Sequence, residues 1–358
     1  MFRRQQLGWI GVDVGARTVK LAQIERTGSS FRLSSAVLLH RNGPRQASDR
    51  PADDADGCDE IRCALSLQPS LRGRRAAGVL PMEITDLRSL HLPPGDDHER
   101  RTMIASELAL HLQGAAEEYE FDFWDCPPND QAGSSNAPNV NVLAARRCMA
   151  LRFGSQITHA GLYCEVLDGL PHTLTRALNL TTDPAGVVSV GVLDWGFRGA
   201  TFCAVREGRP MFARYLRNCG VGDLADRVAK VFSLRLEEAE SLLSSHGLPN
   251  ATETDPTTRE VQEVIAEVGA QTIGELVEQL DRTISYLDAQ RPRFHVEQVW
   301  LHGGAATIRN ISAVLSSRIR LPVQVWEFTG GAGIAAKANA PVVMFGNAMA
   351  LSMLAWKK

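Results

Sequence analysis

Short apolar runs separated by glycine-containing turns stand out at two places in the chain. Each place has three such runs, rich in β-branched and aliphatic residues, which predicts three strands joined as an antiparallel meander. The runs cover 7–14, 17–25 and 31–39 near the start, and 187–194, 200–206 and 211–216 in the second half. A pattern that returns about half a chain later predicts a duplicated fold.

Elsewhere, segments with apolar residues at helical spacing alternate with further short apolar runs. The predicted helices cover 98–113, 149–160, 170–178, 222–232, 236–245, 259–290 and 307–317. The further predicted strands cover 76–81, 119–124, 140–146, 163–167, 296–301 and 323–325. The predicted loops, polar and mostly with proline or glycine, cover 41–60, 127–139 and 249–258. This alternation predicts an α/β architecture with two similar domains.

The repeated pattern also predicts where the domains lie. We expect a first domain at 1–183 with an insertion at about 76–148, and a second domain at 184–340. Residues 341–358 are predicted to form a C-terminal helix that packs back on the first domain. The segment 340–356 is uncharged, but it is shorter than the roughly 20 apolar residues of a spanning helix. The alternative is a tail that touches a membrane.

Composition narrows the class of protein. The chain has 358 residues, 44% of them hydrophobic, with a formal net charge of −3, which is typical of a globular protein and argues against a basic nucleic-acid binder. The seven cysteines are scattered and form no Cys-x-x-Cys pair, which predicts reduced thiols of a cytosolic protein. The N-terminus shows no run of signal-peptide type. The acidic part of 41–60 has no fixed ligand spacing and is expected to be a solvated, mobile loop.

Three glycine-rich turns carry the candidate chemistry. Asp13 and Asp194 end a strand in each meander, where a carboxylate can hold Mg²⁺ through water. Turn glycines let backbone amides approach a polyphosphate, and a lysine nearby adds positive charge. The residues that follow from this are Gly15, Thr18, Lys20, Gly196 and Thr201. Gly303-Gly304 ends a third strand and suits a flat adenosine face. Each turn alone is ordinary, but together they predict ATP with Mg²⁺ between the two halves.

The chain resembles the PilM family of type IV pilus assembly, within the actin-like ATPase superfamily that includes FtsA. The motifs that carry the resemblance span nearly the whole chain. They lie at 10–15, 19–21, 209–214, 238–240, 284–287, 303–304 and 346–351, with 80–81, 92–94, Glu107 and 119–123 resembling an inserted 1C-type subdomain. The resemblance implies a two-domain actin-like (ribonuclease H-like) fold.

The resemblance also implies a function. Members are cytoplasmic ATP-binding scaffolds that hold the cytoplasmic N-terminus of a bitopic inner-membrane partner of PilN type, in a groove of the first domain. We therefore expect a protein at the inner membrane only through that partner, with self-association possible and no nucleic-acid binding. ATP hydrolysis is expected to be slow at most.

By resemblance, individual residues take roles in the nucleotide site. The first phosphate loop maps to Asp13, Gly15, Thr18 and Lys20; the second to Asp194, Gly196 and Thr201; the adenosine loop to Gly303 and Gly304; and a position near the ribose to Glu238. Asp13 and Asp194 would hold Mg²⁺ through water. Arg17 stands where a small hydroxyl residue is usual, and it either contacts phosphate or fills the pocket. Bulky or unusual residues in the other two loops are Trp195, Phe197, Arg198, His302 and Ala305.

Other functions share this fold and stay open at this point. They are a cytoplasmic component of a type II secretion or MSHA-like system, an FtsA-like division adaptor, and a small-molecule kinase. A kinase needs a general base near the γ-phosphate. Glu107 is the one candidate base, and its alternative interpretation is a solvated helix residue.

Overall fold

The computed structural model describes residues 6–41, 54–112, 115–126, 138–181, 189–290, 294–330 and 338–356. The strands are β1 (Gln6–Leu7), β2 (Ile10–Val14), β3 (Thr18–Thr27), β4 (Ser30–His40), β5 (Arg75–Leu80), β6 (Thr85–Leu90), β7 (Tyr119–Asp125), β8 (Val140–Arg146), β9 (Tyr163–Gly169), β10 (Ser189–Trp195), β11 (Gly199–Arg206), β12 (Arg209–Arg217), β13 (Gln298–His302) and β14 (Val323–Val325). The helices are α1 (Asp54–Leu67), α2 (Asp97–His111), α3 (Arg147–His159), α4 (Leu170–Leu178), α5 (Val221–Phe232), α6 (Leu236–Ser245), α7 (Pro256–Gln290), α8 (Ile311–Ile319) and α9 (Gly346–Ser352).

Two sheets share one topology, which confirms the predicted duplicated α/β fold. The first has the order β4-β3-β2-β5-β9, and the second has the order β12-β11-β10-β13-β14. In each sheet the three meander strands are antiparallel and the last two strands run parallel to the first strand of the meander. The short β1 adds to β3. Because the two sheets share this strand order, β2 and β10 occupy equivalent positions, and so do the residues at their ends.

A mostly apolar layer joins the two sheets. Helices α4 and α9 contribute to one hydrophobic cluster that also contains side chains of both sheets. Representative members are Ile24 and Val79 of the first sheet, Val192 and Trp300 of the second, and Leu174 and Met349 of the helices. The second sheet also packs against α5, α7 and α8 on its other face. The two halves therefore meet around α4 and α9, below the ends of the parallel strands.

The C-terminal segment is broken rather than one helix. A 3₁₀ turn (Val342–Phe345), α9 and a second 3₁₀ turn (Met353–Trp356) follow one another. A Cβ on Gly11 would lie 1.8 Å from the Ala348 carbonyl oxygen, so only glycine lets β2 touch α9 this closely. Ser352 Oγ accepts a hydrogen bond of 3.1 Å from the Ile24 amide. Within the described residues, no helix combines the length and apolarity needed to cross a bilayer.

A third sheet shares no strand with the other two. It has the order β6-β8-β7 and packs against α2. Its Trp124 Nε1 donates to the Pro210 carbonyl oxygen at 2.7 Å, and Asn141 Nδ2 donates to that of Met211 at 3.1 Å, so it docks on β12. The predicted insertion began at 76, but β5 belongs to the first sheet. The domain boundaries themselves stay a prediction.

Some local predictions were wrong. Residues 54–60, predicted as part of a loop, belong to α1, while 42–53 lie outside the described residues. Strand β6 was not predicted. The helix predicted at 307–317 is a 3₁₀ turn (Gly304–Thr307) followed by α8, because Asn310 adopts a left-handed conformation with φ 65°. Most of the predicted 127–139 loop lies outside the described residues. The structure describes all seven cysteines and joins none of them in a disulfide.

Candidate functional site

A cleft of about 550 Å³ opens between the first and second sheets. It lies at the ends of β2, β10 and β13, where the three glycine-rich turns leave their strands. Most of the predicted site residues line it: Asp13, Gly15, Arg17, Thr18, Lys20, Asp194, Gly196, Thr201, Gly303 and Gly304. The two carboxylates at positions 13 and 194 therefore face one space.

The two hairpin tips have the same hydrogen bonding. The Gly15 amide donates to the Thr18 carbonyl oxygen, and the Gly196 amide donates to that of Gly199, both at 2.9 Å. The sequence predicted that these glycine turns let backbone amides approach a polyphosphate. The amides of Gly15 and Gly196 themselves close the turns, so these two glycines shape the hairpin tips.

The three buried charged residues Asp13, Lys20 and Asp194 form what we call the cleft floor. Lys20 lies opposite Asp13 in the β2–β3 register, and its Nζ is 2.8 Å from Asp13 Oδ2. Burial lowers the pKa of Lys20, but the charge and hydrogen bond of Asp13, with the charge of Asp194, outweigh burial and leave this pKa raised. One cation therefore faces two carboxylates, which leaves the floor short of positive charge.

Asp194 shows the effect of that shortage. Burial raises its pKa to about 6; the charge of Lys20 opposes this, and the charge of Asp13 adds to it. His302, beside Asp194 in the β10–β13 register, is buried as well. Burial, and then the charge of Lys20, lower the pKa of His302 to about 3, so this imidazole is neutral near pH 7. A bound cation would relieve the repulsion at Asp194.

The raised pKa of Asp194 predicts a pH-dependent stability. Between about pH 4 and pH 6 the folded protein keeps a proton that the unfolded chain has released, so the free energy of unfolding falls as the pH rises. We expect Asp194→Asn to be more stable than the wild type by about 3 kcal/mol at pH 8 and by roughly half as much at pH 5. Urea unfolding at the two pH values measures this. The exposed Asp281→Asn is the control, and a variant that is less stable than the wild type at pH 8 contradicts the assignment.

Arg17 spans the cleft from the first hairpin to α6. Its guanidinium contacts Glu237 and lies 3.5 Å, from Nε to Oε1, from Glu240. Its Nη1 also donates to the Arg41 carbonyl oxygen at 3.4 Å. Arg17 thus binds carboxylates of the opposite side within the cleft that it lines, and its contact with phosphate stays a prediction. Trp195 does not enter the cleft: it is fully buried, and its Nε1 donates to the Cys219 carbonyl oxygen at 2.8 Å.

Two predicted residues are not brought to the cleft. Glu238 is the third residue of α6. Its carboxylate accepts a hydrogen bond of 2.8 Å from the Arg235 amide and forms an ion pair with the guanidinium of that arginine. Glu107 lies on α2 beside the third sheet, 3.6 Å from His111. A helix-end interaction fixes Glu238, whereas Glu240, two residues later, lines the cleft.

Several residues that line the cleft were not predicted as site residues from the sequence. They are Glu83, Tyr215, Glu240 and Asn347. Burial raises the pKa of Tyr215, and the charge and hydrogen bond of Glu83 raise it further. Glu240 could have been found from the sequence, because it follows the acidic residues at the start of α6. Asn347 lies in the 346–351 motif of the family resemblance, but only tertiary packing brings the C-terminal segment beside Asp194.

The donor set fits one kind of metal ion. No group of three or more His, Cys, Asp or Glu side chains forms a metal site in the part of the chain that the structure describes. Mg²⁺ keeps several of its waters and takes other ligands from phosphates, so the paired carboxylates of Asp13 and Asp194 suit it. A metal that needs a complete protein cage does not fit here.

Comparisons with known proteins assign the family. A family model described as type IV pilus assembly protein PilM matches residues 11–351. The chain belongs to the PilM family. As a PilM family member it has the actin-like fold that the two repeated sheets display.

Solved structures agree with the PilM assignment at the level of the fold. A PilM-PilN type IV pilus biogenesis complex matches with a TM-score of 0.75 and 20% identity, over 98% of this chain and 99% of that one. The ethanolamine utilization protein EutJ from Carboxydothermus hydrogenoformans matches with a TM-score of 0.57 and 15% identity, over 97% of this chain and 89% of that one. A MamK double helical filament matches with a TM-score of 0.53 and 10% identity, over 98% of this chain and 99% of that one.

Proposed function

We propose that this PilM family member is a cytoplasmic scaffold of type IV pilus assembly that binds ATP with Mg²⁺ in its cleft and holds a PilN-like partner. The observation that carries the nucleotide part is the convergence of Asp13, Lys20 and Asp194 on one cleft. A buried lysine between two carboxylates gives a site that a metal-bound polyphosphate would complete.

Each part of the ligand has candidate residues. Lys20 would face the phosphates, with the hydroxyls of Thr18 and Thr201 at the two tips. Asp13 and Asp194 would hold waters of Mg²⁺, and the bound ion would supply positive charge between them and the phosphates. Gly303 and Gly304 would lie against the adenosine.

Glu240 is the better candidate for the ribose than Glu238, because it lines the cleft. Burial raises its pKa, although Arg17 opposes this. The Glu240 carboxylate can accept hydrogen bonds from ribose hydroxyls while Arg17 stays paired with Glu237. Glu107 lies away from the cleft and gives no support to a kinase reaction, so we propose slow turnover at most.

The partner part of the proposal is supported by the family and by the PilM-PilN complex that matches almost the full chain. We propose that the cytoplasmic N-terminal peptide of a bitopic inner-membrane protein binds in a groove of the first domain. The chain would then reach the inner membrane only through that protein. Self-association stays a prediction.

The two parts are tested by separate titrations. We expect calorimetry to show binding of ATP with Mg²⁺, at least about tenfold weaker for Asp13→Asn because a ligand of the metal water loses its charge. Asp281→Asn, an exposed carboxylate on α7, is the matched control and should bind as the wild type does. A synthetic peptide from the cytoplasmic end of a PilN-like protein encoded beside this chain should bind in a second titration.

The outcomes separate the two parts. A wild-type protein that binds no nucleotide overturns the ATP assignment but leaves the scaffold. A wild-type protein that binds no peptide from any adjacent inner-membrane protein overturns the scaffold assignment.

A further inference from the structure

Asn347 occupies the cleft floor without a role in the site predicted from sequence. It lies on α9 and is 7% exposed. Its Nδ2 donates to Asp194 Oδ2 at 3.2 Å. Its Oδ1 is buried and has no hydrogen-bond partner. An unpaired buried acceptor is destabilising, so we look for its partner in a ligand of the cleft.

The orientation of this amide is fixed by charge. Turning the carboxamide over would place Oδ1 against the Asp194 carboxylate, where two acceptors repel. The Asp194 side therefore requires the NH₂ group, and the carbonyl oxygen must face away from Asp194. The backbone of α9 cannot move aside, because its Ala348 carbonyl is in contact with Gly11 and Ser352 bonds to Ile24.

The free acceptor restricts the ligand. Lys20 Nζ is 2.8 Å from Asp13 Oδ2, and it makes no hydrogen bond to Asn347 Oδ1. Phosphate oxygens are themselves acceptors and cannot pair with Oδ1. A water bound to a divalent cation is a strong donor, because the cation polarises its O–H bonds.

We propose that Asn347 is a further binding residue of the cleft, whose Oδ1 accepts a hydrogen bond from a water of a divalent cation held between Asp13 and Asp194. This inference rests on the proposed nucleotide site and adds the C-terminal helix to it. The hydrated cation would then contact β2, β10 and α9 at once. Asn347 positions the cation's water shell and takes no part in bond breaking.

Mg²⁺-linked nucleotide binding tests this role. The affinity of a fluorescent ATP analogue is measured in EDTA and in saturating Mg²⁺, and the ratio of the two affinities is the readout. We expect Asn347→Ala to reduce this ratio about tenfold while the affinity in EDTA stays within about twofold of the wild type. Asn347→Asp keeps an acceptor but adds a charge, so we expect weaker binding in EDTA and a ratio above that of the wild type.

Asn141→Ala is the matched control, because Asn141 is also a buried amide but lies on β8, away from the cleft. It should lower the thermal stability and leave the ratio unchanged. An Asn347→Ala ratio equal to that of the wild type overturns the inference, as does an equal loss with and without Mg²⁺, which would assign Oδ1 to the nucleoside. If the wild type itself binds no nucleotide, the proposed ATP site fails and this inference fails with it. If the wild type binds nucleotide more tightly in Mg²⁺ than in EDTA but Asn347→Ala has the same ratio, only the role of Asn347 is wrong and the proposed ATP site stands.

Discussion

Replacing Lys20 by Met is expected to destabilise the fold by about 3–5 kcal/mol at pH 8 and to weaken ATP binding about ten- to hundredfold. Lys20 is buried, pairs with Asp13 and is attracted by Asp194. Without it, two buried carboxylates face each other with no cation. Urea unfolding and calorimetric titration of ATP with Mg²⁺ measure the two effects. Lys230→Met, on α5, is the control for loss of a lysine outside the cleft.

The pH dependence makes the Lys20 prediction specific. In Lys20→Met the carboxylates are easier to protonate, so the loss of stability should be smaller at pH 5 than at pH 8. The double variant Lys20→Met/Asp13→Asn should recover part of the stability but none of the affinity. A loss of stability that is equal at both pH values would show that the side chain's packing matters and its charge does not.

Gly303→Ala is expected to destabilise the protein by about 2–5 kcal/mol and to abolish nucleotide binding. Gly303 has φ 82°, and a Cβ there would lie 2.4 Å from Asp194 Oδ1 and 2.7 Å from the Trp195 carbonyl oxygen. The new methyl group strains the backbone and displaces the Asp194 carboxylate. Thermal unfolding and ATP titration measure both effects.

Gly304→Ala is the matched control for Gly303. A Cβ at Gly304 meets no atom within 4 Å, and its φ is not in the left-handed range. We expect the stability of this variant to stay within about 0.5 kcal/mol of the wild type. If the two variants lose the same stability, the adenosine turn does not depend on the contact with Asp194.

The repeated fold was predictable because each meander carries its own local signals. Glycine turns, β-branched strands and helical periodicity need no knowledge of the partner half, and α4, α6, β8 and β14 have the predicted bounds. Helix α1 was missed because its apolar face is narrow, with Cys58, Ile61 and Ala64, and because acidic residues precede it. The duplicated fold could have indicated α1, because the second half has helices between β12 and β13, the position equivalent to that of α1 between β4 and β5.

The candidate site was predictable only as far as strand ends determine it. Asp13 and Asp194 lie where a strand enters a turn, and the topology brings these ends together. The partners of Arg17 depend on how α6 faces the first hairpin, which no local pattern encodes. The choice between Glu238 and Glu240 depends on which turn of α6 is used for the helix-end interaction with Arg235. Asn347 depends on the path of the C-terminal segment between the sheets.

If the hairpin tips of both halves bind one metal-bound triphosphate, a crystal structure with a non-hydrolysable ATP analogue and Mn²⁺ tests this most directly, because anomalous scattering locates the metal. We expect one anomalous peak between the carboxylates of Asp13 and Asp194, with the γ-phosphate within reach of Lys20. Nucleotide bound with no metal peak between these carboxylates, or bound outside this cleft, would contradict it.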